Sequence, residues 1–222
     1  MAAFLANVGV NAGHPAWSPL HDDGSFDLLP IPEALEWRHP MLRYRDLPPN
    51  LGHVPSSWAN RAAHLDPDLN SATPTYGDNC RRAARAFTLR RAKRGDLIVF
   101  LARLKPASGP AAFYLVGCLD IEAIASDLTS DPGTGWWDAN AHVRRSRASG
   151  DWDSFWVFHG GPCSLLFDRP VPFTRRETSA LLGDACMWPD HRTELQTIGS
   201  YTRTVRRFEG AGEEWLRAIC RS

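Results

Sequence analysis

Two apolar segments in the middle of the chain limit most strongly what this protein can fold into. Residues 97–104 read Leu-Ile-Val-Phe-Leu-Ala-Arg-Leu, and residues 112–121 read Ala-Phe-Tyr-Leu-Val-Gly-Cys-Leu-Asp-Ile. Both segments are rich in β-branched and aromatic residues, and a Pro/Gly loop at 106–110 separates them. We therefore predict that they form an antiparallel β-hairpin.

Further strands are predicted on either side of this hairpin. Residues 4–10 are apolar with little alternation, which indicates a buried and central first strand. Residues 21–33 contain an Asp-Gly turn and two prolines, and they predict a small hairpin followed by an extended segment. Short apolar runs at 155–158 and 164–167 predict two more strands.

Helices are predicted mainly at the sides of this sheet. Residues 34–75 are rich in Pro, Asn and Ser, and they predict mostly loop with short helical turns; long irregular stretches of this kind are often functional. Asp78 is a candidate N-cap for the first long helix. The predicted helical segments are 79–92, a short one at 122–128, a helix start or an ordered turn at 140–145, and two near the end at 178–182 and 213–221.

The order of these elements predicts an α+β fold. No regular β-α-β alternation appears, so we expect a mainly antiparallel curled sheet, or a small barrel, with flanking helices and long loops. We expect residues 1–222 to form a single domain. Its core covers about 4–170, and a helical C-terminal extension covers about 174–222.

The charge composition narrows the possible partners. Lys+Arg is 25 and Asp+Glu is 25, which excludes a uniformly basic nucleic-acid coat and a polyacidic tail. Every cation except Lys93 and Lys105 is arginine, the side chain best suited to phosphate, although codon bias also explains this excess. The five cysteines lack zinc-knuckle or redox spacing, and neither a signal peptide nor a membrane-spanning run is visible. We expect a soluble cytoplasmic protein with free thiols.

The first candidate site is the segment His64-Leu-Asp66-Pro-Asp68. In an extended chain, His64, Asp66 and Asp68 lie on one face, and Pro67 favours an extended conformation at Asp66. One histidine and two carboxylates could bind a metal ion or act as an acid/base pair. The alternative is a capped turn in which the aspartates bond to the local backbone.

Two other groups of polar residues are candidates. Asn11 and His14 follow the first predicted strand, and His21 stands in the polar turn His-Asp-Asp-Gly; for Asp23 we favour a solvated turn. The third group is Asn140, His142, Arg144 and Arg145, in which the amide and imidazole could contact a base and the arginines a phosphate. The alternative is an exposed helix start capped by Asn140.

The ordered set of short motifs resembles the third family of nucleotide-modification-associated domains. Those are bacterial and phage proteins placed in systems that modify nucleic-acid bases, and the resemblance covers about residues 4–170. The part around the central hairpin is also similar to PUA-, ASCH- and EVE-like barrels, which bind modified or unpaired bases. The motifs are Pro30-Ile-Pro32, His64-Leu-Asp-Pro-Asp68, Tyr76-Gly-Asp78, Gly95-Asp-Leu-Ile-Val-Phe100, Tyr114-Leu-Val-Gly-Cys-Leu119 and Asn140-Ala-His142.

The resemblance implies a nucleotide context, and the candidate residues lead to a hypothesis of an enzyme. We predict a transferase or hydrolase that modifies a nucleobase or nucleotide, with a pocket where the first strand's end and segments 64–68 and 140–145 converge. The predicted catalytic residues are His64, Asp66, His142 and His21. The predicted nucleotide-binding residues are Asn11, Tyr76, Asn140, Arg144 and Arg145, and the candidate metal ligands are His64, Asp66 and Asp68.

Two other functions stay open at this stage. A non-catalytic PUA-like reader would recognise a modified or flipped base, and a protein-interaction component of a modification system would do neither. No P-loop, no dinucleotide-binding glycine motif and no zinc-protease motif is present, so the cofactor stays unknown. The expected partner is a nucleotide or nucleic acid that is contacted locally through arginine. The oligomeric state stays open.

Overall fold

The computed structural model describes residues 1–33, 42–47, 54–81 and 84–221. Three-residue 3₁₀ helices occur at Tyr44–Asp46, Ser56–Trp58 and Gly183–Ala185, and a longer one at Ala84–Arg91. The strands are β1 Ala3–Asn7, β2 Ser18–Leu20, β3 Ile31–Pro32, β4 Ala63–His64, β5 Thr75–Asp78, β6 Leu97–Pro106, β7 Ala112–Leu128, β8 Phe155–Gly160, β9 Leu165–Pro172 and β10 Arg206–Phe208. The α-helices are α1 Ala141–Ser149, α2 Arg175–Leu182, α3 Glu194–Tyr201 and α4 Ala211–Ile219.

Eight of the strands form one mixed sheet around β6 and β7. Its order is β10-β1-β6-β7-β8-β5, with β2 added to β6 and β9 added to β7, while β3 and β4 form a separate pair. Strands β1 and β2 run parallel to β6, and the other pairs are antiparallel. The predicted central hairpin and the buried central first strand are therefore both confirmed.

The two faces of the sheet carry two separate hydrophobic cores. Side chains alternate between the faces, so Phe4 and Phe100 pack on one face and Leu5 and Leu101 on the other. The first core contains Tyr76 and Phe158, and the second is covered by the helices near the C-terminus. This double burial explains why these strands are continuously apolar rather than alternating in the sequence.

A gap in the pairing along one side of β6 determines where a ligand site can form. Strand β1 pairs with Leu97 to Leu101, and β2 pairs only from Leu104 onward. The Val8 N–H still bonds the Leu101 carbonyl, after which the connecting segment 9–17 leaves the sheet, and Ala102 and Arg103 stand at the opening. Where a strand loses its neighbour, a loop can place functional side chains beside the sheet, and the surrounding strands hold the loop rigidly in position.

The α+β class with a mostly antiparallel sheet is confirmed, but the barrel is not. Within the described residues the sheet path ends at β10 and at β5, which do not pair with each other, so the sheet stays open. The C-terminal helices predicted at 178–182 and 213–221 correspond to α2 and α4, and the helix start at 140–145 corresponds to α1. Helix α3 and strand β10 were not predicted.

Two helix predictions were wrong. The segment 122–128 continues β7, because Ala123 and Ile124 pair with His159 and Phe158 of β8 across a bulge; this pairing outweighs a weak local helix preference. The helix predicted at 79–92 is instead the 3₁₀ helix Ala84–Arg91, and residues 82–83 of that prediction lie outside the described residues. Asp78 ends β5 and caps no helix.

The irregular stretch predicted at 34–75 is only partly described, because 34–41 and 48–53 lie outside the described residues. Its described part contains two short 3₁₀ helices, which agree with the predicted helical turns, and the two-residue strand β4. None of the helices in the described ranges is both long and apolar enough to cross a bilayer.

Candidate functional site

A cavity of about 830 Å³ opens beside the end of β1. Its lining combines the segment after β1 with residues from β5, α1 and α3. This volume falls in the range of pockets that enclose a small-molecule ligand. The cluster of histidines and carboxylates lines the cavity beside β4, β5 and α1, and Arg103 and Arg203 line it beside β6 and α3.

His64 enters the pocket from the end of β4 and is fixed from behind by Glu33. Its Nδ1 is hydrogen-bonded to Oε1 of Glu33, and the two side chains are 8% and 7% exposed. Strand pairing between β3 and β4 brings the two residues together, because Ile31 pairs with His64. A carboxylate that accepts a hydrogen bond from Nδ1–H leaves Nε2 free to bind a metal ion or accept a proton.

Asp66 lies in the next turn and is almost fully enclosed. Both of its carboxylate oxygens accept the backbone N–H of Gly77, at 3.0 and 2.9 Å. A side chain at position 77 has no room, because a Cβ there would lie 2.6 Å from Cδ2 of His142. Glycine at 77 therefore lets the carboxylate and the imidazole approach β5 closely.

His142 comes from the first turn of α1. Asn140 caps this helix through its Oδ1, which accepts the N–H of His142 at 3.0 Å, and its amide donates to Thr75 Oγ1 at 3.1 Å. The His142 ring stacks against Phe155 with ring centroids 5.5 Å apart. The capped helix start and the stacked ring hold the imidazole in one orientation.

These elements create a compact group of His64, Asp66 and His142, which we call the histidine–aspartate cluster. Nε2 of His142 lies 3.3 Å and Nε2 of His64 lies 3.7 Å from Oδ2 of Asp66, and one ligand atom from each residue falls within 4.8 Å of the others. Atoms bound to one metal ion at about 2.1 Å are separated by similar distances. Two imidazoles and one carboxylate are the donor set of catalytic Zn²⁺ and non-haem Fe²⁺ sites.

Burial sets the protonation states in this cluster. Burial lowers the pKa of His142 to about 3, with help from the nearby His64 and Arg145, so its imidazole is neutral. Burial raises the pKa of the Asp66 carboxyl well above its ordinary value. Burial acts most strongly on Glu33 and raises its pKa, but the hydrogen bond from His64 and the charges of His64, Arg145 and His142 together hold that pKa below its ordinary value.

A second layer of charges surrounds the cluster. Oδ2 of Asp78 accepts the Tyr76 hydroxyl at 2.9 Å and lies 3.5 Å from Arg85. Arg145 lies between Nδ1 of His142, at 3.4 Å, and Oδ1 of Asp153, at 3.5 Å. At this end of the pocket the described lining has four carboxylates and two arginines. The excess of negative charge favours a bound cation.

The structure brings several predicted site residues to this one pocket. The lining includes Asn11, His14, His64, Asp66, Tyr76, His142 and Arg145. The pocket therefore lies where the first strand's end and the segments around 64 and 142 meet. Asn11 is exposed at the rim, where its Oδ1 accepts the N–H of Gly13.

Other predicted site residues lie elsewhere. His21 pairs with Asp27 at 2.9 Å, away from the cluster, and Asp68 pairs through its backbone with Thr75. Asp68 is thus not among the three clustered ligand atoms, although the extended-face argument included it. Asn140 is fully buried behind the pocket, and Arg144 lies on α1 outside the lining.

Sequence reasoning missed Glu33, Asp153 and Arg103 as pocket residues. Glu33 is 31 residues from His64, and no local spacing links them. Arg103 had a visible signal, because it is the one charged residue in the apolar run 97–104. A charge inside a buried strand is informative, since charged side chains are rarely buried without a partner.

The fold and the pocket together define an α+β protein with a concave polar site of ligand-binding size. A family model extends this: the model of nucleotide modification associated domain 3 matches residues 3–215, nearly the whole chain. The chain therefore belongs to this family, and the resemblance seen in the motifs is confirmed. The match continues beyond residue 170, through α2, α3 and β10. No curated protein and no solved structure matches the chain.

Proposed function

We propose that this chain is a nucleotide-modifying enzyme, a transferase or a hydrolase, whose catalytic centre is the histidine–aspartate cluster with a divalent metal ion. One observation carries the proposal: three metal-ligating atoms converge within 4.8 Å, largely buried, at one end of a pocket. Family membership supplies the nucleotide context. A metal ion held by three protein ligands can polarise a substrate oxygen or activate water.

The surrounding residues support a metal ion at this place. Glu33 orients His64 as carboxylates orient metal-binding histidines elsewhere. Glu33 and Asp66 have no arginine or lysine ion-pair partner within the described residues, so a dication would compensate their charges. Metal binding at Nε2 of His142 would place the ring proton on Nδ1 and turn Arg145 toward Asp153, which already lies 3.5 Å away.

The lining favours an enzyme over a reader of modified bases. A reader would hold the base in a cage of aromatic side chains. Tyr76 and Phe113 line the pocket, but none of the tryptophans in the described ranges does. Trp136 instead stacks on His159, and Trp152 stacks on Phe155.

The nucleosides of cells that express the wild-type chain or its variants can be compared, which tests this function without knowledge of the co-substrate. Cells that express the wild-type chain, Asp66→Asn or His142→Ala are compared by mass spectrometry of nucleosides from DNA, RNA and the free nucleotide pool. We expect a changed nucleoside only with the wild-type chain. The exposed His191 lies outside the pocket, and His191→Ala is the matched control that keeps the change. Identical profiles for the wild-type chain and both cluster variants would contradict the proposal.

A further inference from the structure

The other end of the pocket contains two arginines that the catalytic proposal does not use. Arg103 and Arg203 line this end together with Asn7, Phe113 and Gln196, and we call it the arginine end. Arg103 stands on β6 directly opposite Phe113 of β7, in the pairing gap between β1 and β2. Arg203 follows α3, whose Gly199 faces the ring of Phe113.

Arg103 is partly buried and has no charge partner among the residues that the structure describes. Its Nε is buried and makes no hydrogen bond, and neither Arg103 nor Arg203 forms an ion pair with any carboxylate of the described residues. Leaving a buried N–H without a hydrogen-bond partner costs free energy, so folded proteins seldom keep such a group unless a ligand or water satisfies it.

The pocket's own carboxylates are engaged elsewhere and cannot supply that partner. Asp78 pairs with Arg85, and Asp153 pairs with Arg145. Glu33 is bonded to His64, and Asp66 accepts the Gly77 N–H. No described carboxylate of the pocket therefore pairs with Arg103, and an anion bound in the cavity would supply that partner.

The chemistry of the arginine end fits a phosphate group. A planar guanidinium matches the geometry of phosphate oxygens and can bind two of them at once. Arg203 adds a second, exposed cation at the same end, and Asn7 adds an amide. Arg103 is half-buried on a paired strand that lines the cavity, so a phosphate must enter the cavity to reach it, which favours a small ligand over a continuous strand of nucleic acid. A zero net charge agrees with a small ligand rather than a long polyanion.

We propose that Arg103 and Arg203 bind the phosphate of a single free nucleotide, so that its base or sugar reaches the histidine–aspartate cluster. This inference rests on the proposed function, because it places that function's substrate across the pocket. It names a mononucleotide, rather than a nucleoside or a nucleic-acid strand, as the substrate class.

Calorimetric titration of the full chain tests the proposal. The probes are the common ribonucleoside and deoxyribonucleoside 5′-monophosphates, their matched nucleosides, inorganic pyrophosphate and a single-stranded 12-mer. We expect at least one monophosphate to bind on the order of 10- to 100-fold more tightly than its nucleoside, as lost charge-assisted hydrogen bonds predict. Equal binding of nucleoside and monophosphate, or no binding of any monophosphate, would overturn the proposal.

Variants locate the binding. Arg103→Gln and Arg203→Gln are each expected to weaken monophosphate binding by about tenfold or more while leaving nucleoside binding unchanged. Arg203 is exposed, so its variant tests the site even if Arg103→Gln fails to fold. Exposed Arg94 lies outside the pocket, and Arg94→Gln is the matched control. Unchanged affinity in Arg203→Gln and in folded Arg103→Gln, or tighter binding of the 12-mer through the same arginines, would contradict the proposal.

The two proposals fail in different ways. If His142→Ala binds the monophosphate as wild type does but no nucleoside is ever modified, the phosphate site stands and the catalytic proposal falls. If a modified nucleoside appears and arginine variants neither bind nor react differently from wild type, the catalytic proposal stands and the phosphate site falls.

Discussion

The two ends of the pocket differ in how completely their polar atoms are paired. In the histidine–aspartate cluster, Glu33 holds His64, the Gly77 N–H holds Asp66, and Asn140 holds the start of the helix that carries His142. At the arginine end, Nε of Arg103 is buried and has no hydrogen-bond partner within the described part of the chain. The cluster is organised before any ligand arrives, whereas the arginine end is incomplete without one.

This difference indicates that the two ends of the cavity have different functions, one catalytic and one ligand-binding. Groups that perform chemistry must be held in a fixed geometry by their surroundings. Groups that bind a charged ligand can stay unpaired, because the ligand supplies the missing interaction and its binding then stabilises the fold. The following predictions test whether the two ends really separate in this way.

The largest effect is expected from Asp66→Asn, which removes a charge from the cluster and keeps its size. We expect metal content to fall from near stoichiometric to trace levels, and turnover to fall by more than about 100-fold, the upper range for changes behind a metal ligand. Elemental analysis after metal-supplemented expression measures the first quantity and product formation the second. Monophosphate affinity should stay within about threefold of wild type, because its phosphate partners are untouched. Stoichiometric metal in the variant would break the assignment.

Gly77→Ala is the next test, and it acts on the geometry of the cluster rather than on its charge. The new Cβ would meet Cδ2 of His142 at 2.6 Å and Oδ1 of Asn140 at 2.9 Å. The ring cannot move freely, because it stacks on Phe155. We expect a loss of about 1–3 kcal/mol of unfolding free energy from overpacking, together with reduced turnover.

Urea unfolding measures this loss, and a second glycine provides the control. A Cβ at Gly161 would contact its neighbours at ordinary distances, from 3.6 Å. Gly161→Ala should therefore leave both stability and turnover close to wild type. If Gly77→Ala behaves in the same way, the close approach of β5 to the cluster has no importance.

Glu33→Gln should have a smaller effect, because Glu33 acts through His64. Glutamine keeps the shape and an acceptor for the Nδ1 proton but loses the charge. We expect metal affinity to fall by about 10- to 100-fold, as is usual when the partner of a ligating histidine is changed. Competition with a chelator measures the affinity. Glu209→Gln, which breaks an exposed pair with Arg207, is the control with no expected effect.

Much of the cluster could be predicted from the sequence. The order His64-Leu-Asp66 with Pro67, and the Asn140-Ala-His142 start of a helix, are local patterns that predict polar side chains at the ends of elements. The mixed sheet then brings them together. Glu33 could not be predicted from the sequence, because only the pairing of β3 with β4 places it behind His64. Neither of these two-residue strands has a recognisable sequence pattern.

The same limit explains the misassigned and missed elements of the fold. Residues 122–128 look locally ambiguous, and only pairing with β8 makes them a strand. Helix α3 carries a Thr193–Gln196 capping box that sequence reasoning overlooked. The sequence shows Arg103 as a charge within an apolar strand. Its role depends on which residues surround the guanidinium, and long-range contacts determine those surroundings.

The smallest predicted effect most directly compares the two ends. Arg103→Met replaces an unpaired, partly buried charge with an apolar side chain of similar length, so we expect the ligand-free variant to gain about 1 kcal/mol in unfolding free energy.

Arg217 is the matched contrast, because it bonds Glu213 and donates to the Gly95 carbonyl at 2.6 Å. Arg217→Met should lose about 1–3 kcal/mol by orphaning those partners. Saturating monophosphate should reverse the order of wild type and Arg103→Met in urea unfolding, because it stabilises the tighter-binding protein more. If Arg103→Met is instead destabilised without ligand, the guanidinium belongs to the fold, and the two ends of the pocket do not differ in kind.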